Sequence, residues 1–135
     1  MDAYHVLVVD DNPLLLDLLR LMLETLGYEV STARGAGEAL AQVETVQPDL
    51  ALVDLMMPIV DGENLCRRIQ GLQTAGGGPA LVLMSADERA RPIATELGLA
   101  GWLLKPFDLD QLITCIESCR GLPEARSTVE RAHRR

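Results

Sequence analysis

Three carboxylates, a hydroxyl and an ammonium each follow directly on an apolar run in this chain. Asp10 and Asp11 follow Val6–Val9, Asp54 follows Leu50–Val53, Ser85 follows Ala80–Met84, and Lys105 follows Trp102–Leu104. An isolated buried carboxylate is costly enough to take up a proton or find a partner. The acidic pair that closes "HVLVVDDN" therefore implies a cation nearby. Lys105 is the only lysine among the 12 basic residues. Two carboxylates about 4 Å apart repel by roughly 4 kcal/mol at an effective dielectric of 20, so three together need more counter-charge than one ammonium supplies. Hard oxygen ligands with room for water suit Mg2+, with Mn2+ as a substitute. Such a site suits phosphoryl transfer, in which a carboxylate can act as nucleophile and form an aspartyl phosphate. The cation and Lys105 would neutralise the phosphoryl oxygens while Ser85 donates a hydrogen bond.

These residues meet only if the elements before them lie side by side. The apolar runs at Val6–Val9, Leu50–Val53, Ala80–Met84 and Trp102–Leu104 are continuous, as in parallel strands covered on both faces, and Tyr28–Ala33 supplies a more alternating fifth. Helical patterns lie between them. Asn12 is a good N-cap, Pro13 a good first helical residue and Gly27 a good stop, with Leu15, Leu18, Leu19, Met22 and Leu26 as a core stripe. Further helices are expected over Gly37–Val46, from Gly62 through Leu65, Ile69 and Leu72, over Pro92–Leu97, and over Asp108–Cys119. Thr74–Pro79 reads as a loop. Five alternations of strand and helix predict a doubly wound α/β sheet, whose functional crevice lies beyond the carboxyl ends of the strands. That is where all five residues fall.

Composition narrows the classes. The 135 residues fit one domain, 48% of them are hydrophobic, and the net charge of −8 argues against nucleic-acid binding through a basic surface. No apolar run approaches the roughly 20 residues of a membrane span, and the expectation is a soluble cytoplasmic protein. Cys66, Cys115 and Cys119 form no CxxC pair and read as small apolar thiols on helices. His5 and His133 have no evident partners. The segment "GLPEARSTVERAHRR", residues 121–135, is polar and reads as a tail or linker after a domain over residues 1–120.

The ordered set "VVDDN", "LVDLMMPIVDG", "LVLMSA" and "LLKPF" resembles the receiver domain of two-component response regulators, the family of the chemotaxis regulator, over about residues 4–120. The resemblance implies a five-stranded parallel sheet in the flavodoxin-like order 2-1-3-4-5, with helices on both faces. It further implies that Asp54 is the phosphoacceptor, and that Asp10, Asp11 and the backbone carbonyl of Met56 join Asp54 in holding Mg2+. Ser85 takes the switch hydroxyl position, Lys105 that of the family's lysine, and Trp102 that of an aromatic rotamer switch. Met56 and Asp87 occupy the positions that tune hydrolysis of the phosphorylated state. Methionine would exclude water, whereas Asp87 could orient it. Leu14 and Leu21 are surplus to the core stripe, and Leu14 stands where these receivers meet a kinase.

By the same resemblance the chain is a phosphoacceptor, not an enzyme that releases a metabolite. It would take a phosphoryl group from a histidine kinase or histidine phosphotransfer protein and change its surface around helix 4, strand 5 and helix 5. The downstream effector is unnamed by the sequence, and a phosphorylation-dependent homodimer is compatible with it. The domain could stand alone or be cut from a longer regulator or hybrid kinase. Blander readings exist for single residues: Asp10 and Asp11 could cap the helix at Pro13, Ser85 could merely end a strand, and Trp102 could be core. Two other classes share part of the pattern. An aspartyl-nucleophile phosphatase needs Asp-x-Asp after its first strand, which "DDNPL" lacks. A flavodoxin-like carrier needs a phosphate-cradling loop where this chain is acidic.

Overall fold

The computed structural model describes residues 3–72 and 77–120. Strands β1 (His5–Val9), β2 (Glu29–Ala33), β3 (Leu50–Asp54), β4 (Ala80–Ser85) and β5 (Gly101–Leu104) alternate with helices α1 (Pro13–Thr25), α2 (Ala36–Thr45), α3 (Gly62–Gly71), α4 (Ala90–Leu97) and α5 (Leu109–Arg120). All strand pairs are parallel, in the order β2-β1-β3-β4-β5. Pairing sets Val9 beside Ala33 and Val53, Asp54 beside Met84, and Ser85 beside Leu104, so the carboxyl ends of the strands finish almost level. Among the described residues no helix is long and apolar enough to cross a membrane. The tail, and residues 74–76 of the expected loop, lie outside the described residues.

Two apolar layers sandwich the sheet. Leu7, Val9, Ala51, Val53, Leu81 and Leu83 face α2, α3 and α4 on one side. Val6, Val8, Leu50, Leu52, Val82 and Met84 face α1 and α5 on the other. The continuous apolar runs of β1, β3 and β4 are explained by this arrangement, since each is covered on both faces. Burying one such leucine or valine stabilises the fold by about 1.5–3 kcal/mol, which makes these strands the rigid part of the molecule. The edge strand β5 departs from the expectation. Leu103 is buried, but Trp102 and Leu104 are exposed, because no element covers that side of β5 completely.

Helix α1 begins as its capping residues predict. Asn12 Oδ1 accepts the N–H groups of Leu14 (3.0 Å) and Leu15 (3.4 Å), and Pro13 occupies the first turn. Gly27, at φ +97°, turns the chain away after it. The buried stripe is Leu16, Leu19 and Leu23, whereas Leu18 and Leu26 of the expected stripe are exposed. Leucines at seven of the ten positions from 14 to 23 offer several stripes of helical spacing. In the rotation adopted, Arg20 donates to Val30 O (3.2 Å) and Thr32 Oγ1 (3.1 Å) on β2. His5 is not unpartnered: its Nε2 lies 2.6 Å from Ser31 Oγ and its Nδ1 3.5 Å from Glu29 Oε1. These contacts tie the edge strand β2 to β1 far from the carboxyl edge.

Candidate functional site

At the carboxyl edge, Asp10 follows β1 and Asp54 closes β3, with only 1% and 5% of their surfaces exposed. Lys105, just past β5, places Nζ 2.8 Å from Asp10 Oδ2 and 3.5 Å from Asp54 Oδ1. Asp11 stays exposed on the rim, yet one carboxylate oxygen each from Asp10, Asp11 and Asp54 lie within 4.8 Å of one another. The structure thus unites four of the residues singled out by the sequence.

Local backbone chemistry holds them there. The Asp10 N–H donates to Ala33 O (3.1 Å), and Asp10 Oδ1 accepts the Asn12 N–H (2.9 Å), so the residue that ends β1 also orients the start of α1. The Lys105 N–H donates to Ser85 O (2.9 Å), which keeps the lysine at the level of the strand ends. Behind Asp54, α3 starts on Gly62, whose N–H donates to Leu55 O (2.9 Å). A Cβ at residue 62 would lie 2.7 Å from Leu55 Cα and 2.9 Å from the Asp54 carbonyl carbon, and would overlap the Asp54 carbonyl oxygen. Only glycine lets the helix sit so close behind the carboxylate. Asp61 caps the same helix through Asn64 N (2.9 Å).

Three carboxylates against one ammonium leave the cluster with an excess of negative charge. At separations up to 4.8 Å, each carboxylate pair repels by about 3.5 kcal/mol or more at an effective dielectric of 20. Burial, and then the Asp10 carboxylate, push the Asp54 carboxyl above its usual range, against the pull of Lys105 and the Met56 N–H. The donor set is all hard oxygen, with one ligand on the solvent rim and no imidazole or thiol in the cluster. That chemistry fits a small hard divalent cation that keeps several waters, Mg2+ before any soft metal.

Two loops frame the cluster. In the β3–α3 loop, the Met56 N–H lies 3.3 Å from Asp54 Oδ1, and the Met56 side chain is exposed. In the β4–α4 loop, buried Ser85 accepts the Asp87 N–H at Oγ (2.9 Å), and no hydrogen bond joins its hydroxyl to Asp54. Asp87 does not point a free carboxylate at the site. Its Oδ1 accepts the Arg89 N–H (2.8 Å) and its Oδ2 the Arg89 Nε–H (2.7 Å), and these bonds hold its carboxyl below the usual range. Arg89 Nη2 in turn reaches Met56 Sδ at 3.3 Å. Sequence reading missed Arg89, because its role exists only once two loops 33 residues apart converge.

Two further residues stand apart. Leu14, at the start of α1, is 78% exposed on the rim next to Asp11, as its surplus position suggests. Trp102 is 39% exposed on the open side of β5, with the Arg91 guanidinium 5.8 Å from its ring centroid, so it is not a core residue.

Residues 6–117 match the model of the response regulator receiver domain. The DNA-binding dual master transcriptional regulator RpaA of Synechocystis is 32% identical over 84% of this chain and 48% of its own length. The chain therefore spans about half of that curated relative. A putative response regulator from Chloroflexus aurantiacus superposes with a TM-score of 0.81 at 29% identity, covering 89% of this chain and 99% of that one. The response regulator TrrA of Thermotoga maritima, solved in complex with Mg(2+)-BeF, superposes at 0.75 with 27% identity over 85% of this chain and 97% of its own. The chain belongs to the receiver domains of response regulators. It is a two-component signalling domain of a class that takes a phosphoryl group on aspartate and binds Mg2+ at an acidic pocket, and that is not typically enzymatic.

Proposed function

We propose that Asp54 accepts a phosphoryl group from the phosphohistidine of a histidine kinase or histidine phosphotransfer protein. The observation that carries this reading is the contact of one lysine with two buried carboxylates, 2.8 Å from Asp10 and 3.5 Å from Asp54. In the transfer, an Asp54 carboxylate oxygen bonds to phosphorus as the phosphorus–nitrogen bond breaks, and the imidazole leaves with the bonding pair and takes up a proton. Lys105 leaves its carboxylate partners to meet the added phosphoryl oxygens, and the Met56 N–H already points at the acceptor. Asp10, Asp11 and Asp54, with the Met56 carbonyl, would hold Mg2+ or Mn2+. The ion would supply neutralisation of charge on the phosphoryl oxygens.

Phosphorylation biases an equilibrium between two arrangements of the β4–α4 loop and the surface beyond it. Ser85, whose Oγ accepts the Asp87 N–H, would donate its hydroxyl hydrogen to a phosphoryl oxygen. Exposed Trp102, Leu104 and Leu109 then lie on the α4–β5–α5 face, above a groove of about 640 Å³ between β5 and α5. That face would carry the output, through a downstream effector or a phosphorylation-dependent homodimer in the cytoplasm. Leu14 would dock the donor beside the acceptor. In the test, Leu14→Asp slows labelling by autophosphorylated histidine kinases of the source organism and leaves labelling by acetyl phosphate near the parent rate. Equal losses with both donors would contradict docking at Leu14, and failure of both donors on the parent protein would contradict the acceptor reading.

A further inference from the structure

We propose that Arg89 is a positioning residue that clasps the two loops over Asp54 and thereby lengthens the life of the phosphorylated state, an inference that rests on the acceptor role of Asp54. The contacts run as an open chain from the acceptor through both loops to Ser85. Asp54 Oδ1 faces the Met56 N–H (3.3 Å), and Met56 Sδ meets Arg89 Nη2 (3.3 Å). Arg89 Nε meets Asp87 Oδ2 (2.7 Å), and the Asp87 N–H meets Ser85 Oγ (2.9 Å). Among the described residues, Arg89 supplies the one side-chain hydrogen bond that joins the β3–α3 loop to the β4–α4 loop.

Loss of the phosphoryl group requires a water behind phosphorus. The water oxygen bonds to phosphorus, the bond to the Asp54 oxygen breaks with its electron pair returning to the carboxylate, and the released inorganic phosphate carries the water's protons. A carboxylate near that water would orient it and draw on its proton. Asp87, two residues beyond Ser85 on the β4–α4 loop and outside the Asp10–Asp11–Asp54 cluster, is one candidate, but each of its oxygens already accepts from Arg89. The same guanidinium leans on the Met56 thioether, a flexible apolar chain that otherwise sweeps freely across the approach. Arg89 therefore acts twice, occupying an acid that could serve the water and holding the apolar cover in place. Its side chain and that of Asp87 are 61% and 36% exposed, so the clasp is cheap to open when the β4–α4 loop rearranges.

The test uses the whole chain, labelled with acetyl phosphate and Mg2+, freed of donor, and followed by intact mass as the phosphoryl group is lost. Arg89→Ala should shorten the half-life by roughly threefold to tenfold, well below the roughly 10²–10⁴ of a full general base. Arg89→Lys, which cannot span both partners, should fall between. In an Asp87→Asn background the effect of Arg89→Ala should shrink to less than half of its size on a logarithmic scale. In the unphosphorylated, metal-free protein, Arg89→Ala should also shift the Met56 ε-methyl resonance. Unchanged or lengthened half-life in Arg89→Ala, an equal effect in the Asp87→Asn background, or an unmoved methyl resonance would each overturn the clasp. A parent protein that takes no label would overturn the acceptor reading itself, and the clasp with it.

Discussion

Replacing Gly62 by alanine tests how closely the acceptor strand and α3 are built together. The new Cβ would stand 2.7 Å from Leu55 Cα and 2.9 Å from the Asp54 carbonyl carbon. Carbon atoms prefer separations of about 3.5–4.0 Å, so the backbone behind Asp54 must retreat by about 0.8 Å. It cannot do so freely, because the Leu55 N–H is bonded to Met84 O (2.8 Å) within a sheet covered on both faces. Overpacking of a well-packed core costs about 1–3 kcal/mol, and contact with backbone rather than a flexible side chain places this case at about 3 kcal/mol. For a domain of this size that corresponds to a melting point lower by about 10 °C. A shift approaching 1 Å at the acceptor should also slow labelling by acetyl phosphate at least about tenfold, since misplacement on that scale costs up to about 10²-fold. Gly37→Ala is the control, because a Cβ there meets open space within α2. It should raise stability by about 0.5–1 kcal/mol and leave labelling alone. Thermal unfolding by circular dichroism and intact mass read the two effects. If Gly62→Ala melts within about 2 °C of the parent and labels at the parental rate, the close approach is not what holds Asp54.

Ile59 is a β-branched residue at φ +71° and fully exposed, so no packing compensates its backbone strain. Ile59→Asn should move the urea midpoint upward by the equivalent of about 1 kcal/mol, and a fall would refute the strain. Among the thiols, Cys66 is buried and pushed up to about 12, and its neighbour Cys115 and burial push the Cys119 thiol up, whereas half-exposed Cys115 is drawn down by Cys119. A disulfide reagent near pH 8 should therefore modify Cys115 first, as peptide mapping would show, and early modification of Cys66 would contradict the packing of α3. Mg2+ should raise the melting temperature by mass action on the native state, by about 2.7 kcal/mol at about 100 times its dissociation constant. Asp10→Asn or Asp11→Asn should weaken that gain, and an undiminished gain would place the ion elsewhere.

The parts of the fold that were legible are those where one local pattern had one interpretation. Val6–Val9, Leu50–Val53 and Leu81–Met84 are apolar without interruption, which suits only burial on both faces, and Asn12-Pro13 marks a helix start on two counts. The cluster of Asp10, Asp11, Asp54 and Lys105 was legible for the same reason, since parallel strands must deliver their last residues to one edge. What failed depended on partners distant in sequence. The face of α1 is set by its packing on the sheet, where Arg20 also reaches β2, and leucine-rich periodicity alone allows several faces. Trp102 is apolar in type but lies on an edge strand, where the Arg91 guanidinium rather than a core receives it. Gly62 was legible as a helix start, but not that the backbone of another element requires a glycine there. Asp87 read as an acid that could orient a water, and its pairing with Arg89 was not legible.

Above all, Asp54 is held to take the phosphoryl group at a site that needs a divalent cation. Intact mass after incubation with acetyl phosphate tests this most directly, with Mg2+ present or chelated, on the parent protein and on Asp54→Asn. One added phosphoryl group is expected on the parent with Mg2+, and none on the parent in chelator or on Asp54→Asn under either condition. Full labelling of Asp54→Asn, or of the parent in chelator, would contradict it.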